Sequence, residues 1–205
     1  MSNSASNFIN SVDLAFYLSL GVSVFFLLLI TVLIVTFVIK FNRKKNPKPQ
    51  NIHSNTLLEV TWTVIPTILV MILFWFGWTG YEKMEDIPKD AIKVDVTAQM
   101  WQWSFTYENG KQSDTLVVPL NKAVVLNLHS LDVNHAFFVP AFRLKKDVYP
   151  GLERKAWFIA EDLGNYTITC AEYCGLNHSN MYSKIVVVPE DKYDLWISKN
   201  QDEQK

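Results

Sequence analysis

Four residues that can bind a metal lie close together near the end of this chain, in the pattern C-x-x-x-C-x-x-x-H-x-x-M. They are Cys170, Cys174, His178 and Met181, and a further histidine, His135, precedes Cys170 by 35 positions. Thiolate, imidazole and a weakly bound thioether are together typical of copper electron-transfer sites. A single copper ion of this type uses one thiolate, whereas two thiolates could bridge two copper ions that share one electron. The pattern therefore predicts a redox copper centre.

Two other interpretations of these residues stay open at the sequence level. Cysteines in an oxidising compartment usually pair, but a Cys170–Cys174 disulfide would enclose only three residues. Such a bridge stabilises little, because the entropy removed from the unfolded chain grows with loop length. Zinc held by two cysteines and two histidines also fits the ligand count. It leaves Met181 unexplained, because a thioether has little affinity for zinc.

Two long uncharged segments precede the ligand pattern. Residues 14–39 and 60–81 contain no charged residue over 26 and 22 positions, and a helix needs about 20 apolar residues to cross the hydrocarbon core. The first run is too long for a signal peptide, whose apolar part spans about 7–15 residues. Buried helices of a soluble protein are disfavoured, because too few residues remain to cover two uniformly apolar helices. We predict transmembrane helices at residues 14–41 and 60–81.

The loop between these segments, residues 42–59, sets the orientation. Residues 40–59 carry five cations and a single acid, Glu59; the cations are Lys40, Arg43, Lys44, Lys45 and Lys48. Short cationic loops stay on the cytoplasmic side of a membrane. We therefore expect residues 1–13 and residues 82–205 to lie outside the cytoplasm.

The outer segment, residues 82–205, alternates apolar and polar residues in short runs, as in Ile92-Lys-Val-Asp-Val-Thr97. Further runs occur at residues 100–107, 115–118, 123–128, 136–139, 155–159, 166–169 and 184–188, separated by turn residues. Eight short strands predict an all-β Greek-key sandwich or small barrel, closed by a short helix at residues 190–197. The segment holds 14 Lys and Arg against 18 Asp and Glu, which argues against a nucleic-acid partner and favours a basic one.

Four segments resemble, in the same order, subunit II of haem–copper cytochrome c oxidases. Residues 55–66 resemble the start of its second helix, residues 99–105 its aromatic stretch, and residues 132–151 and 170–181 its two ligand segments. The resemblance implies a hairpin of two transmembrane helices followed by an all-β cupredoxin-like domain. It also implies an electron-entry subunit that accepts electrons from cytochrome c and passes them to the haem-bearing catalytic subunit I, where oxygen is reduced to water.

The same resemblance implies the ligands of a binuclear copper centre, CuA, with two copper ions. They are His135, Cys170, Glu172 through its backbone carbonyl, Cys174, His178 and Met181. Both thiolates bridge the ions in the family; one copper also takes His135 and Met181, and the other takes His178 and the carbonyl of Glu172. The carboxylate of Glu172 would then face a magnesium ion shared with the catalytic subunit.

Three further features have both a functional and an ordinary interpretation. Trp101 resembles the tryptophan through which cytochrome c delivers its electron, although most such residues are half-buried strand aromatics. Glu59 resembles a proton-entry position, but a carboxylate there could also reach the headgroups or pair with the loop lysines. The charged run of Arg143, Lys145, Lys146 and Asp147 is typical of a solvated face; by resemblance it packs against the catalytic subunit.

Other functions make different demands on the sequence. A membrane-tethered copper carrier would need a more open site, and its helix pair would be unexplained. A quinol-oxidising relative keeps the fold but lacks the copper ligands, which are present here. Because no C-x-x-C-H motif occurs, we expect the haem-bearing donor to be a separate protein. Other oxidase subunits and membrane lipid are the remaining expected partners, in a bacterial plasma membrane or a mitochondrial inner membrane.

Overall fold

The computed structural model describes residues 5–48 and 54–199, and these divide into two compact units. One unit, within residues 11–79, is helical. The other joins residues 5–10 to residues 80–199 and contains the β-structure. Part of the predicted cytoplasmic loop, residues 49–53, lies outside the described residues, as do both chain ends.

The helical unit consists of two long helices, α1 (Ile9–Lys40) and α2 (Thr56–Glu85). Both are long and apolar enough to cross a membrane, and neither contains a buried residue. The side-chain amide oxygen of Asn55 caps α2 by accepting the N–H of Leu58 at 3.1 Å. Hydroxyls inside the helices bond to the carbonyl four residues back, as Thr31 does to Leu27 at 2.7 Å. Such bonds satisfy polar side chains that would otherwise face hydrocarbon.

The other unit contains two five-stranded sheets and a terminal helix. The first sheet has the order β3-β2-β1-β5-β8 and the second β4-β10-β9-β6-β7. The strands are β1 (Ile92–Gln99), β2 (Gln102–Tyr107), β3 (Gln112–Ser113), β4 (Leu116–Pro119), β5 (Ala123–Ser130), β6 (His135–Val139), β7 (Leu144–Val148), β8 (Arg154–Ile159), β9 (Gly164–Cys170) and β10 (Tyr182–Val188). The helix is α3 (Glu190–Ser198). The predicted fold class, two long apolar helices followed by a β-sandwich, is confirmed.

Alternating burial along the strands builds the core of the sandwich. In β1, Val94, Val96 and Ala98 are buried while Lys93 and Asp95 are exposed, as the two-residue repeat of a strand requires. Tyr107 on the first sheet donates its hydroxyl to the carbonyl of Val117 on the second at 2.9 Å and accepts the N–H of Val117 at 2.7 Å. Burial raises the pKa of Tyr107, so its hydroxyl keeps the proton that joins the sheets.

Two local features differ from the sequence-based expectation. The first is strand β7, which was not among the predicted strands. It lies at the edge of the second sheet and holds Lys145, Lys146 and Asp147 between the buried residues Leu144 and Val148. Two apolar anchors are enough for an edge strand, whose remaining residues can stay charged.

The second difference concerns Trp101, which was expected within a strand. The ladder between β1 and β2 pairs Gln99 with Gln102, so that Met100 and Trp101 form a two-residue turn. Both residues are apolar and neither is a typical turn residue, so the sequence does not mark the reversal of the chain here.

The residues just before α1 pack on the β-unit and cover the edge strand β8. The N–H of Asn7 donates to the carbonyl of Ile159 at 3.3 Å, and the side-chain oxygen of Asn7 accepts the N–H of Ile159 at 2.9 Å. Phe8 is 2% exposed and its ring meets Trp157 edge-on at 5.0 Å. This segment and the β-unit must therefore lie on the same side of the membrane, as two spans require.

We expect Phe8→Ala to lower the free energy of unfolding of the β-unit by about 3–5 kcal/mol, because it removes a buried aromatic ring and leaves a cavity. Thermal unfolding of the full chain in detergent, followed by near-ultraviolet circular dichroism, measures this. Leu163→Ala, at a leucine that is 48% exposed, is the control and should cost less than about 0.5 kcal/mol. Equal melting temperatures for the two variants would show that the segment is not part of the core.

Candidate metal centre

Three neighbouring strands of the second sheet bring the predicted ligands together. His135 is the first residue of β6 and Cys170 the last of β9, and these strands pair antiparallel with Phe137 opposite Cys170. Met181 immediately precedes β10, and its carbonyl accepts the N–H of Cys170 at 3.2 Å. The loop that leaves β9 carries Glu172, Cys174 and His178 back toward the same end of the sheet.

The donor atoms of all six predicted ligands lie next to one another. Cys170 Sγ is 3.8 Å from both His135 Nδ1 and Cys174 Sγ. Cys174 Sγ is 3.5 Å from His178 Nδ1 and 3.7 Å from Met181 Sδ. The backbone oxygen of Glu172 is 3.2 Å from Cys170 Sγ. The ligand atoms of His135, Cys170 and Cys174 all lie within 4.8 Å of one another.

These separations fit metal coordination and not a disulfide. Both cysteines are free, and their sulfurs are 3.8 Å apart, far beyond the roughly 2.05 Å of an S–S bond. With metal–sulfur bonds of about 2.3 Å and metal–nitrogen bonds of about 2.0 Å, two donors on one tetrahedral ion stand roughly 3.5–3.8 Å apart. The thioether of Met181 among them suits copper better than zinc.

Four of the six ligand residues are shielded from water. His135 and Met181 are fully buried, and Cys170 and Cys174 are buried. Burial, followed by the hydrogen bond and charge of Cys170, raises the pKa of Cys174 to about 12. A bound cation reverses this preference, because a coordinated thiol loses its proton.

Asp132 was not assigned a role from the sequence, although it lies only three residues before His135. Its Oδ1 is 2.8 Å from His135 Nε2. Burial acts to raise the pKa of Asp132, but hydrogen bonds from His135, from the N–H of Met100 and from the N–H of Val133 outweigh it and lower the pKa to about 2. An ionised carboxylate only accepts, so Nε2–H of His135 donates to Asp132, and Nδ1 is the nitrogen that faces the sulfurs.

Two further neighbours of the pocket also lacked a clear signal in the sequence. Trp103 is 2% exposed, and its ring meets those of His135 at 6.1 Å and Phe137 at 5.4 Å. Gly175, with φ +117°, follows Cys174; a methyl group built there would lie 3.4 Å from Trp101 Nε1. Trp101 is half-buried, and the edge of its indole therefore lies beside the ligand loop.

Other side chains of interest do not contribute donor atoms to the ligand cluster. The carboxylate of Glu172 pairs with Lys145 at 2.8 Å, and Lys145 also contacts Asp147 at 3.0 Å. These two acids raise the pKa of Lys145, with Glu172 the larger cause. Glu59 belongs to the helical unit, in the first turn of α2. His129, outside the ligand cluster, lies 2.9 Å from the hydroxyl of Thr97 through Nε2.

Comparison with known proteins gives consistent matches along the chain. The family model of the cytochrome c oxidase subunit II transmembrane domain matches residues 1–78, and that of the periplasmic domain matches residues 67–189. Cytochrome c oxidase subunit 2 of Alkalihalophilus pseudofirmus is 35% identical over 190 residues, which cover 87% of this chain and 56% of the relative. The probable subunit 2 of Rickettsia bellii is 32% identical, covering 86% of this chain and 77% of the relative.

A solved structure matches the β-unit. The crystal structure of the periplasmic domain of subunit II of the Bradyrhizobium japonicum cytochrome oxidase superposes with a TM-score of 0.52 at 32% identity. The match covers 55% of this chain and 94% of that one. Against the first of the relatives named above, by contrast, the chain spans little more than half the length.

We expect two free thiols per chain when the metal-free protein is denatured and alkylated without a reductant, because the two sulfurs are placed as separate donors. Intact-mass spectrometry counts the added groups. A second sample that is reduced before alkylation serves as the control and should have the same mass. A chain that takes up two groups only after reduction would establish the disulfide and contradict the metal interpretation.

Proposed function

This chain belongs to the cytochrome c oxidase subunit II family, and we propose that it is the electron-entry subunit of a respiratory terminal oxidase. It accepts electrons from cytochrome c at a binuclear copper centre, CuA, and passes them to the haem-bearing catalytic subunit, where oxygen is reduced to water. One observation carries this proposal: two cysteine sulfurs, two imidazoles, a thioether and a carbonyl converge at the end of three adjacent strands.

Three of the residues that would hold the copper ions lie in or next to strands of the second sheet, and three lie in the loop after β9. His135, Cys170 and Met181 lie in or directly next to strands, so the sheet ladder fixes their backbone. Cys174, His178 and the carbonyl of Glu172 come from the loop that leaves β9. When bound by these residues, the copper ions would supply a one-electron carrier.

The chain itself contributes orientation and exclusion of water. Asp132 fixes which nitrogen of His135 faces the sulfurs. Trp103 packs against the same imidazole and against Phe137, and both aromatic side chains are buried, which keeps solvent away from this side of the pocket. A rigid, dry ligand set of this kind lowers the rearrangement that accompanies electron transfer. The burial of His135 and Met181 also disfavours a copper carrier, which must release its ion.

Trp101 is the proposed point of electron entry. Its turn projects beside the ligand loop, and its indole edge lies against Gly175, the residue after Cys174. An electron arriving at this ring would therefore be one packed contact from the loop that holds the thiolates. The net acidity of residues 82–205 favours a basic donor such as a cytochrome c.

Two membrane-spanning helices and a periplasmic domain set the location of the chain. We propose the bacterial plasma membrane, since the two relatives named above are bacterial. The helices would contact lipid, catalytic subunit I and other oxidase subunits, because no residue of either helix is buried within this chain.

Two subsidiary sites are proposed by resemblance to the family. The carboxylate of Glu172 is the proposed magnesium ligand at the boundary with subunit I. The ammonium group of Lys145 lies 2.8 Å from this carboxylate, so magnesium would have to displace the ammonium group or share the carboxylate with it. Glu59, exposed in the first turn of α2, is the proposed proton-entry position. The ordinary alternative is a carboxylate that reaches the lipid headgroups or pairs with the loop lysines.

We expect the full chain, purified in detergent and loaded with copper, to bind two copper ions that share one unpaired electron. Electron paramagnetic resonance with a metal count measures both. Met181→Leu keeps a buried side chain of similar size, so it should fold at a cost below about 1.5 kcal/mol, yet its spectrum should change because the thioether is lost. One copper per chain, or zinc in the pocket, would contradict the proposal.

We expect Trp101→Ala in the assembled oxidase to slow electron uptake from cytochrome c by at least about tenfold, a barrier increase of about 1.4 kcal/mol, with copper content unchanged. Stopped-flow reduction of the enzyme measures the rate. Tyr182 is 58% exposed and lines the same surface groove as Trp101. Tyr182→Ala is therefore the control and should leave the rate near that of the wild type. Unchanged uptake in Trp101→Ala would remove Trp101 from this role.

A further inference from the structure

Asp132 lies between the candidate metal centre and the turn that carries Trp101. One oxygen, Oδ1, accepts from His135 Nε2 at 2.8 Å and from the N–H of Val133 at 2.6 Å. The hydroxyl of Ser130 also lies 3.3 Å from this oxygen. Oδ1 is therefore committed to the ligand histidine and to the short segment that leads into β6.

The other oxygen, Oδ2, faces a different element. It accepts the N–H of Met100 at 2.7 Å, and Met100 is the first residue of the two-residue turn between β1 and β2. The second residue of that turn is Trp101. The N–H of Leu131 donates to the carbonyl of Ala98 at 3.0 Å, which joins the same two segments once more. The carboxylate of Asp132 thus ties the Trp101 turn to the segment that presents His135.

The far side of the turn rests on the ligand loop. A methyl group built on Gly175 would lie 3.4 Å from Trp101 Nε1 and 3.6 Å from Met100 Sδ. Both side chains of the turn therefore lie against the backbone next to Cys174. The turn is held between two parts of the metal pocket, with Asp132 on one side and the ligand loop on the other.

Only a carboxylate can make both sets of hydrogen bonds at once. Each oxygen of an ionised Asp accepts, whereas an Asn amide offers one acceptor and one donor group. In Asp132→Asn, an amide N–H that faces Met100 would place donor against donor. An amide N–H that faces His135 would require Nε2 to accept, which moves the ring proton to Nδ1, on the side of the sulfurs. The substitution therefore breaks the link to Met100 or changes the tautomer of His135, while nearly preserving the volume of the side chain.

We propose that Asp132 is a positioning residue for two partners at once, the His135 ligand and the Trp101 turn, so that ligand geometry and electron entry depend on one carboxylate. This inference rests on the proposed electron-entry function, because it assigns both partners their roles. Asp132 acts through its neighbours: it fixes the tautomer and ring orientation of His135, and it keeps Trp101 against the ligand loop.

The test compares Asp132→Asn with the wild type in the assembled oxidase and in the metal-free full chain. Loss of an outer partner of a metal-ligating histidine typically lowers metal affinity about 10–100-fold, and we expect a loss of that size, measured by competition with a copper chelator. We also expect an altered electron paramagnetic resonance spectrum. Uptake of electrons should slow from both cytochrome c and a small uncharged reductant, because a displaced turn impairs either route.

Asp95→Asn is the matched control, since Asp95 is an exposed acid on β1 that accepts from Asn127 at 2.8 Å. It removes the same charge from the same unit and should leave copper affinity and spectrum unchanged. Wild-type affinity and spectrum in Asp132→Asn would overturn the proposal, even if uptake from cytochrome c alone slowed, because that pattern describes attraction of a basic donor only.

A metal-free measurement separates this proposal from the proposed function. Nitrogen-15 spectra of labelled histidine in the metal-free chain should show His135 protonated at Nε2 in the wild type and a mixture of tautomers in Asp132→Asn. If the wild type lacks a binuclear copper spectrum but the tautomer of His135 still differs between the wild type and Asp132→Asn, the electron-entry function fails and the positioning of His135 stands. An unchanged tautomer in Asp132→Asn overturns the positioning role.

Discussion

The pairing of β9 with β6 on one side and β10 on the other is the constraint on which the rest of the site depends. These ladders place the end of one strand beside the start of the next, and so bring His135, Cys170 and Met181 to one end of the sheet. Backbone hydrogen bonds hold the ligands before any metal is bound. Because the sheet supplies the rigidity, the loop that leaves β9 needs to position only Cys174, His178 and one carbonyl.

The polar surroundings of the pocket follow from its burial. A buried imidazole with an unsatisfied N–H would be costly, and the carboxylate of Asp132 removes that cost for His135. The carboxylate is in turn satisfied by backbone N–H groups on both sides. This network explains why the turn at Met100 and Trp101, distant in sequence from the cysteines, is fixed next to them in space.

The short segment before α1, residues 5–8, contributes to the β-unit. Residues 5–8 cover β8, an edge of the first sheet, before the chain enters α1. An uncovered edge strand is a template for unwanted pairing, and here the chain protects it with its own N-terminal segment. The β-unit therefore includes residues that precede the helical unit as well as residues that follow it.

Much of this architecture was determined by the sequence alone. The uncharged runs, the cationic link and the two-residue alternation are local patterns, so they predicted the helices, the fold class and most strands. The six candidate ligands were also identified in this way, through residue types and spacing together with a family resemblance. The tertiary structure decided what depends on long-range pairing: β7 as an edge strand, the turn at Trp101, the packing of Phe8, and the link from Asp132 to His135 and Met100. No local pattern encodes these, because each hydrogen bond or contact joins segments whose neighbourhood is set only when the sheets assemble.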